Sequence, residues 1–181
     1  MNIETQIDNF IENYYSIHGK NSLFKKNQKN ELATQIASSF KIEDLLENMC
    51  YIINDKVIIK YSIFKLFVHN DIYETVINFI LKKFDCILQT HDNFECHVNI
   101  EGFTMSAAER YQDFIKVFAD ISLSSNNSYS DKILHLKVYF PPVIIEQIKS
   151  VFGRFVDKEV KQKVEVISKN DSISRWNSLV N

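Results

Sequence analysis

The chain has 181 residues, with Lys+Arg 21 against Asp+Glu 23 and a net charge of −2, so no global field draws it to nucleic acid or to an anionic membrane. Hydrophobic residues at 45% and aromatics at 13% exclude a disordered chain and supply one ordinary core. Three cysteines, Cys50, Cys86 and Cys96, form an odd set without a C-x-x-C, which argues against a disulfide framework and a cysteine zinc site.

The chain holds Gly 3 and Pro 2, so turns fall to Asn, Asp and Ser and no Gly-rich phosphate cradle is available. No apolar run reaches the roughly 18 to 20 residues of a transmembrane helix. The N-terminus carries acids and Asn where a signal peptide has a basic and then an apolar stretch, so a cytoplasmic protein is expected. The surplus of Ile, Lys, Asn, Phe and Tyr over Ala, Gly, Arg and Pro is the usage of an AT-rich genome.

Hydrophobic period divides the chain near Asp55 into a helical segment, 1–54, and an α/β domain, 55–181. In the first, Ile3, Ile7, Phe10, Ile11 and Tyr14 keep helical spacing, as do Leu32, Ile36 and Phe40, and then Ile42, Leu45, Leu46, Met49 and Ile53. The intervening Gly19 to Asn30, with Lys20, Lys25, Lys26 and Lys29, is expected to be a solvated surface loop.

From Lys56 to Phe64 the period is two with apolar residues on both sides, which predicts a strand covered on both faces. Asn70 is placed to cap a helix carrying Ile72, Val76, Phe79, Ile80, Phe84, Ile87 and Leu88. After a turn at Thr90 to Asn93, a strand is expected over Phe94 to Ile100. Ser106 and Glu109 have capping-box spacing before a helix with Tyr111, Phe114, Ile115 and Phe118. A polar loop over Ser122 to Asp131 leads to a strand from Lys132 to Phe140, stopped by Pro141-Pro142. A helix over Val143 to Val156 follows, then a short helix capped by Asp157 and a last strand at Val164, Val166 and Ile167. Strands alternating with helices predict an α/β fold with a mostly parallel sheet and crossover helices.

Catalytic signatures are not evident in this sequence. His18, His69, His91, His97 and His135 never share the i, i+4 spacing of a metal-binding helix face, and no metal or cofactor is expected. His97 and His135 lie on different expected strands and could meet across a sheet, although hydrogen-bonded or half-exposed strand histidines are the simpler reading. Cys86 and Cys96 fall on apolar stripes and read as small core residues. Glu109, Asp113 and Asp120 read as a solvated face, and Lys149, Arg154, Lys158, Lys161 and Lys163 form a basic cluster interrupted by Asp157, Glu159 and Glu165. Aromatics follow core periods instead of interleaving with basic residues, so nucleic-acid binding is not expected. The helix over 143–156 instead carries Val143, Ile144, Ile145, Ile148, Val151, Phe152, Phe155 and Val156, more than one buried stripe can hide. The excess needs cover from the N-terminal helices, a partner protein or an apolar ligand.

The run His97-Val98-Asn99-Ile100-Glu101-Gly102-Phe103-Thr104 resembles the strand and D-x-x-G element of CRAL-TRIO (Sec14-like) lipid-binding domains. Tyr129 ahead of a strand, Leu136 to Pro142, and Phe152 to Val166 with Lys163 at the family's lysine extend the similarity over about residues 55 to 168. Asn99 stands at the usual aspartate and Phe140 at the usual asparagine. The anti-sigma-antagonist (STAS) fold is a structural neighbour with a similar strand and glycine, but it lacks the segment from Pro142 to Lys163. The resemblance implies a minimal or divergent family member of CRAL-TRIO fold, with a small N-terminal helical appendage. It implies a hydrophobic small molecule or phospholipid held between a sheet floor and a movable helix at Val143 to Phe155, without catalysis. The expected gate and wall are Val143, Ile144, Ile148, Val151 and Phe152, and the floor Ile59, Tyr61, Val98, Ile100, Leu136 and Val138. Transient contact with a membrane surface would fit such a role. Some relatives are docking modules for small GTPases or other proteins, so the competing expectation is a protein-interaction module whose pocket its own side chains fill.

Overall fold

In the computed structural model, residues 3–124 and 129–180 are described. Apolar residues at three- and four-residue intervals build α1 (Ile3–His18), α2 (Lys25–Ser39) and α3 (Ile42–Met49). Their inward residues Ile7, Tyr14, Leu32, Ile36 and Leu45 enter the same buried cluster as the rest of the chain. Lys25, Lys26 and Lys29 lie on α2, so the expected loop is confined to the residues before it. The third helix ends at Met49, and Cys50 opens a strand that helical spacing alone does not foresee. β1 (Cys50–Ile53) pairs antiparallel with β2 (Lys56–Lys60) through a turn in which Asn54 takes φ 54, a left-handed value that asparagine tolerates better than most residues.

β2 stops at Lys60, four residues short of the expected strand, because Tyr61, Ile63, Phe64 and Phe67 bury together on α4 (Tyr61–Phe67). A single 3₁₀ turn, Asn70–Ile72, precedes α5 (Tyr73–Leu88), and no side chain caps either start, so Asn70 is not the cap. β3 (Phe94–Asn99) follows the predicted turn. Thr104, not Ser106, caps α6 (Met105–Arg110): its Oγ1 accepts the Ala107 N–H at 3.3 Å. The chain breaks at Tyr111 and resumes as α7 (Gln112–Ser124). The expected polar loop thus becomes helix at both ends, with α8 (Tyr129–Lys132) closing it; its middle, 125–128, lies outside the described residues.

β4 (Ile133–Tyr139) leads through the two prolines to α9 (Ile145–Gly153), shorter than expected, and then to α10 (Lys158–Gln162). Asp157 caps α10 as predicted, its Oδ1 accepting from Glu159 N–H at 2.7 Å. β5 (Val164–Val166) ends the sheet, and α11 (Lys169–Val180), which the sequence reading leaves unassigned, ends the described chain.

The sheet order is β1-β2-β3-β4-β5, parallel from β2 onward, which gives the expected α/β class. Register aligns Val57 with Cys96 and Leu136, and Ile58 with His97 and Lys137. Since side chains alternate, Val57, Phe94, Cys96, Val98, Leu136 and Val138 share one face. That face meets a large cluster including Phe64, Phe67, Val76, Ile80, Phe84 and Phe114. The other face carries a smaller cluster of Ile58, Tyr139, Ile167 and Trp176, in which α11 supplies the indole. Among the described residues no helix is long and apolar enough to cross a membrane.

If α11 seals the second face in solution, Trp176→Ala will lower stability by about 3 to 5 kcal/mol in urea unfolding. A loss near zero would mean that the helix is undocked.

Candidate functional site

The residues expected to form gate and floor divide into two groups. Ile59 packs against the main cluster and Tyr61, in a helix instead of a strand, belongs to it, so both are absorbed by the core on the β1 side of the sheet. Val98, Leu136 and Val138 remain on one face of β3 and β4, joined by Val164 and Val166 of β5 in register with Leu136 and Val138. All five are half-exposed, and none belongs to either buried cluster. Ile100 lies just past β3, where its N–H donates to the Tyr139 carbonyl at 3.1 Å.

α9 makes its main contacts with α6 and α7, with Phe152 meeting the Phe103 ring edge-on at 6.1 Å. Only Ile148 of its apolar set is buried, at 5% exposure, while Ile144, Ile145, Val151 and Phe152 stay half-exposed. Val143, in the turn ahead of the helix, is 101% exposed and walls nothing. The excess of large apolar groups read from the sequence is therefore only partly covered within the chain. Two open cavities lie elsewhere: about 410 Å³ beside Lys137, Tyr139, Ser174, Arg175, Ser178 and Leu179, and about 420 Å³ beside Asp85, Leu88, Gln89, His91, Asp92 and Lys132.

In the turn after β3, Asn99 Oδ1 accepts the Glu101 N–H at 2.9 Å, and Gly102 takes φ 75, a value that a side chain would strain. Phe140 also takes a left-handed φ, 54, and its N–H donates to Ser172 Oγ of α11 at 2.9 Å. Lys163 Nζ donates to the carbonyl of Ser130 at 2.6 Å, tying α8 to the junction between α10 and β5. Tyr129 Oη donates to Asp85 Oδ1 at 2.7 Å.

On the opposite sheet face lies a polar network that sequence reasoning missed. His97, 3% exposed, bonds through Nε2 to Glu95 Oε2 and through Nδ1 to Tyr139 Oη, each at 2.9 Å. A carboxylate only accepts, so Nε2 carries the hydrogen and Tyr139 donates to Nδ1 of a neutral ring. Lys137 Nζ donates to both Glu95 oxygens, at 3.1 and 3.0 Å. Desolvation pushes the His97 pKa down, outweighing the upward pull of Glu95. Burial resists ionisation of Glu95, yet hydrogen bonds from Lys137 and His97 prevail and leave its carboxyl below the usual range. The signal available in sequence was the pair of i, i+2 polar steps, Glu95 to His97 and Lys137 to Tyr139, on adjacent strands. His135 pairs in register with Glu95 and is exposed, so the two strand histidines do not meet.

Cys96 is buried, its thiol pushed up to about 12 by desolvation, whereas Cys86 points to solvent and is not the core residue expected. Among the described residues no group of three His, Cys, Asp or Glu side chains is arranged to hold a metal. A scan against protein-family models finds no match to this chain, and a search of curated proteins finds none.

Because the folded state keeps His97 neutral while the unfolded chain takes up a proton below about pH 6.5, its contribution to stability is full above that pH and declines as pH falls below it. The slope from this one proton is at most about 1.4 kcal/mol per pH unit. Urea midpoints measured across that range will show the decline, and His97→Gln will flatten it; an unchanged slope would place the titration elsewhere.

Proposed function

We propose that the chain is a non-catalytic, CRAL-TRIO-like binder of an apolar molecule, a lipid or similar hydrophobe, held between α9 and the β3 to β5 floor, with the N-terminal helices as a small appendage. One observation carries the reading. α9 leans on α6 and α7, and the strand residues Val98, Leu136, Val138, Val164 and Val166 stay half-exposed outside both buried clusters. Apolar area that folding leaves wet is what a hydrophobic ligand exploits, at about 25 cal/mol per Å² removed from water before ordering costs. Ile148, Val151 and Phe152 form the helix side of the site, and Val98, Leu136 and Val138 the sheet side. Nothing in this arrangement requires a reacting group, because burial alone holds the ligand.

A second reading is a protein-interaction module whose pocket is closed by its own side chains. It is favoured by the packing of α9 within the chain, where Ile148 is 5% exposed and Phe152 meets the Phe103 ring edge-on at 6.1 Å. The half-covered face of α9 is then the docking surface.

Native mass spectrometry of freshly purified protein separates the two: a co-purified apolar mass supports the first, and a clean apo mass with no uptake of added fatty acid defeats it. Ile148→Asp will abolish uptake. Since Ile148 is buried, the paired variant Leu136→Phe/Val138→Phe serves as a check that fills the space without adding charge. It will reduce uptake at least tenfold while the fold, read by circular dichroism, persists. Full uptake in that folded variant would remove the sheet floor from the site.

A further inference from the structure

The loop between α1 and α2 exposes its largest apolar side chains. Leu23 is 85% and Phe24 62% exposed, with Ile17 of α1 68% exposed nearby in sequence. Hydrogen bonds hold this arrangement in place. Gly19, at φ 66, ends α1 and bonds its N–H to the Tyr15 carbonyl at 2.9 Å. Asn21 Oδ1 accepts the N–H groups of Leu23 and Phe24 at 3.0 and 2.9 Å, and the Gln28 amide bridges Asn21 N–H and the Gly19 carbonyl at 2.9 and 2.7 Å. The two apolar side chains are thus presented to solvent by a built turn.

Charge at the same place is one-sided. Residues 17–30 contain Lys20, Lys25, Lys26 and Lys29 and no Asp or Glu, in a chain whose net charge is −2. Lys25 and Lys26 occupy the first turn of α2, where the helix dipole disfavours cations, and Phe24 stands at the N-cap without a side-chain cap bond. Lys29 is pulled down in pKa by partial desolvation and then by the like charges of Arg110, Lys65 and Lys25. Among the described residues no carboxylate forms an ion pair with any of these cations, and Arg110 Nε is buried without a hydrogen-bond partner. Exposed Leu and Phe flanked along the chain by lysines without carboxylate partners is the composition that inserts apolar groups at a headgroup boundary while cations meet lipid phosphates.

We propose that the α1 to α2 turn is a membrane-docking tip: Leu23 and Phe24 enter the interface of an anionic bilayer, and Lys20, Lys25, Lys26 and Lys29 engage its headgroups. The proposal does not depend on a ligand beneath α9, and its test does not read that space.

The test is flotation of the full chain with vesicles of phosphatidylcholine alone and of an equimolar mixture with phosphatidylserine. The chain will float with the anionic vesicles and not with the neutral ones, and added salt will weaken binding. Each lysine near an anionic surface is worth about fivefold in affinity, so Lys25→Gln/Lys26→Gln will weaken binding by about 30-fold. Leu23→Ser/Phe24→Ser will remove it, and since both side chains are exposed and Ser is a favoured N-cap at position 24, the thermal midpoint will not fall. Absence of binding to anionic vesicles, equal binding to neutral ones, or wild-type binding by both variants would overturn the proposal. So would a dimer that dissolves in the Leu23→Ser/Phe24→Ser variant while vesicles are ignored, which would make a second copy the occupant.

Discussion

Strand register is the constraint from which the rest of the molecule follows. With Val57, Cys96 and Leu136 in one row and Ile58, His97 and Lys137 in the next, every side chain of β2 to β4 is assigned to a face. A slip of one residue would send His97 and Lys137 into the apolar layer and Phe94 and Cys96 out of it. The two faces have then been finished unequally. One meets an aromatic cluster in which Phe64, Tyr73, Phe114 and Tyr111 pack edge to face, and the other meets a single helix and a satisfied polar network.

That inequality explains where surface remains. The main cluster is densest over β2 and the start of β3, where α3, α4 and α5 converge, and it thins toward β5. α9 packs on α6 and α7, and the strand residues Val98, Leu136, Val138, Val164 and Val166 keep part of their exposure. The buried histidine on the far side is held neutral by desolvation and fixed by two partners, which makes it a rigid element of the sheet and not a free base.

How much of this was legible in the sequence follows from length and period. The strands at Phe94 and Ile133 and the helix of Val76, Ile80, Phe84 and Ile87 kept one clear period over their length and were placed within a residue or two. The hairpin at Asn54 was not, because Cys50 to Ile53 is too short to show alternation and continues the apolar spacing of α3. Tyr61 and Ile63 continued the alternation of β2 for four more residues, to Phe64, although the backbone had turned helical, since a two-step and a four-step pattern coincide over so short a span. α11 was missed because Ser172 and Trp176, four apart, are its only buried residues. Of the candidate site, the excess of apolar groups in α9 was readable, but which strand residues stay uncovered depends on tertiary packing that no local pattern encodes.

Phe140 joins these parts. A left-handed phenylalanine costs about 1 to 3 kcal/mol, and what steadies it here is a hydroxyl on the C-terminal helix, Ser172, which itself bonds back to the Ser168 carbonyl at 2.8 Å. Two prolines stiffen the short link from this joint to α9. Release of the last helix would therefore leave residue 140 without the partner that steadies it, so the turn after β4 and the seating of α11 depend on one another.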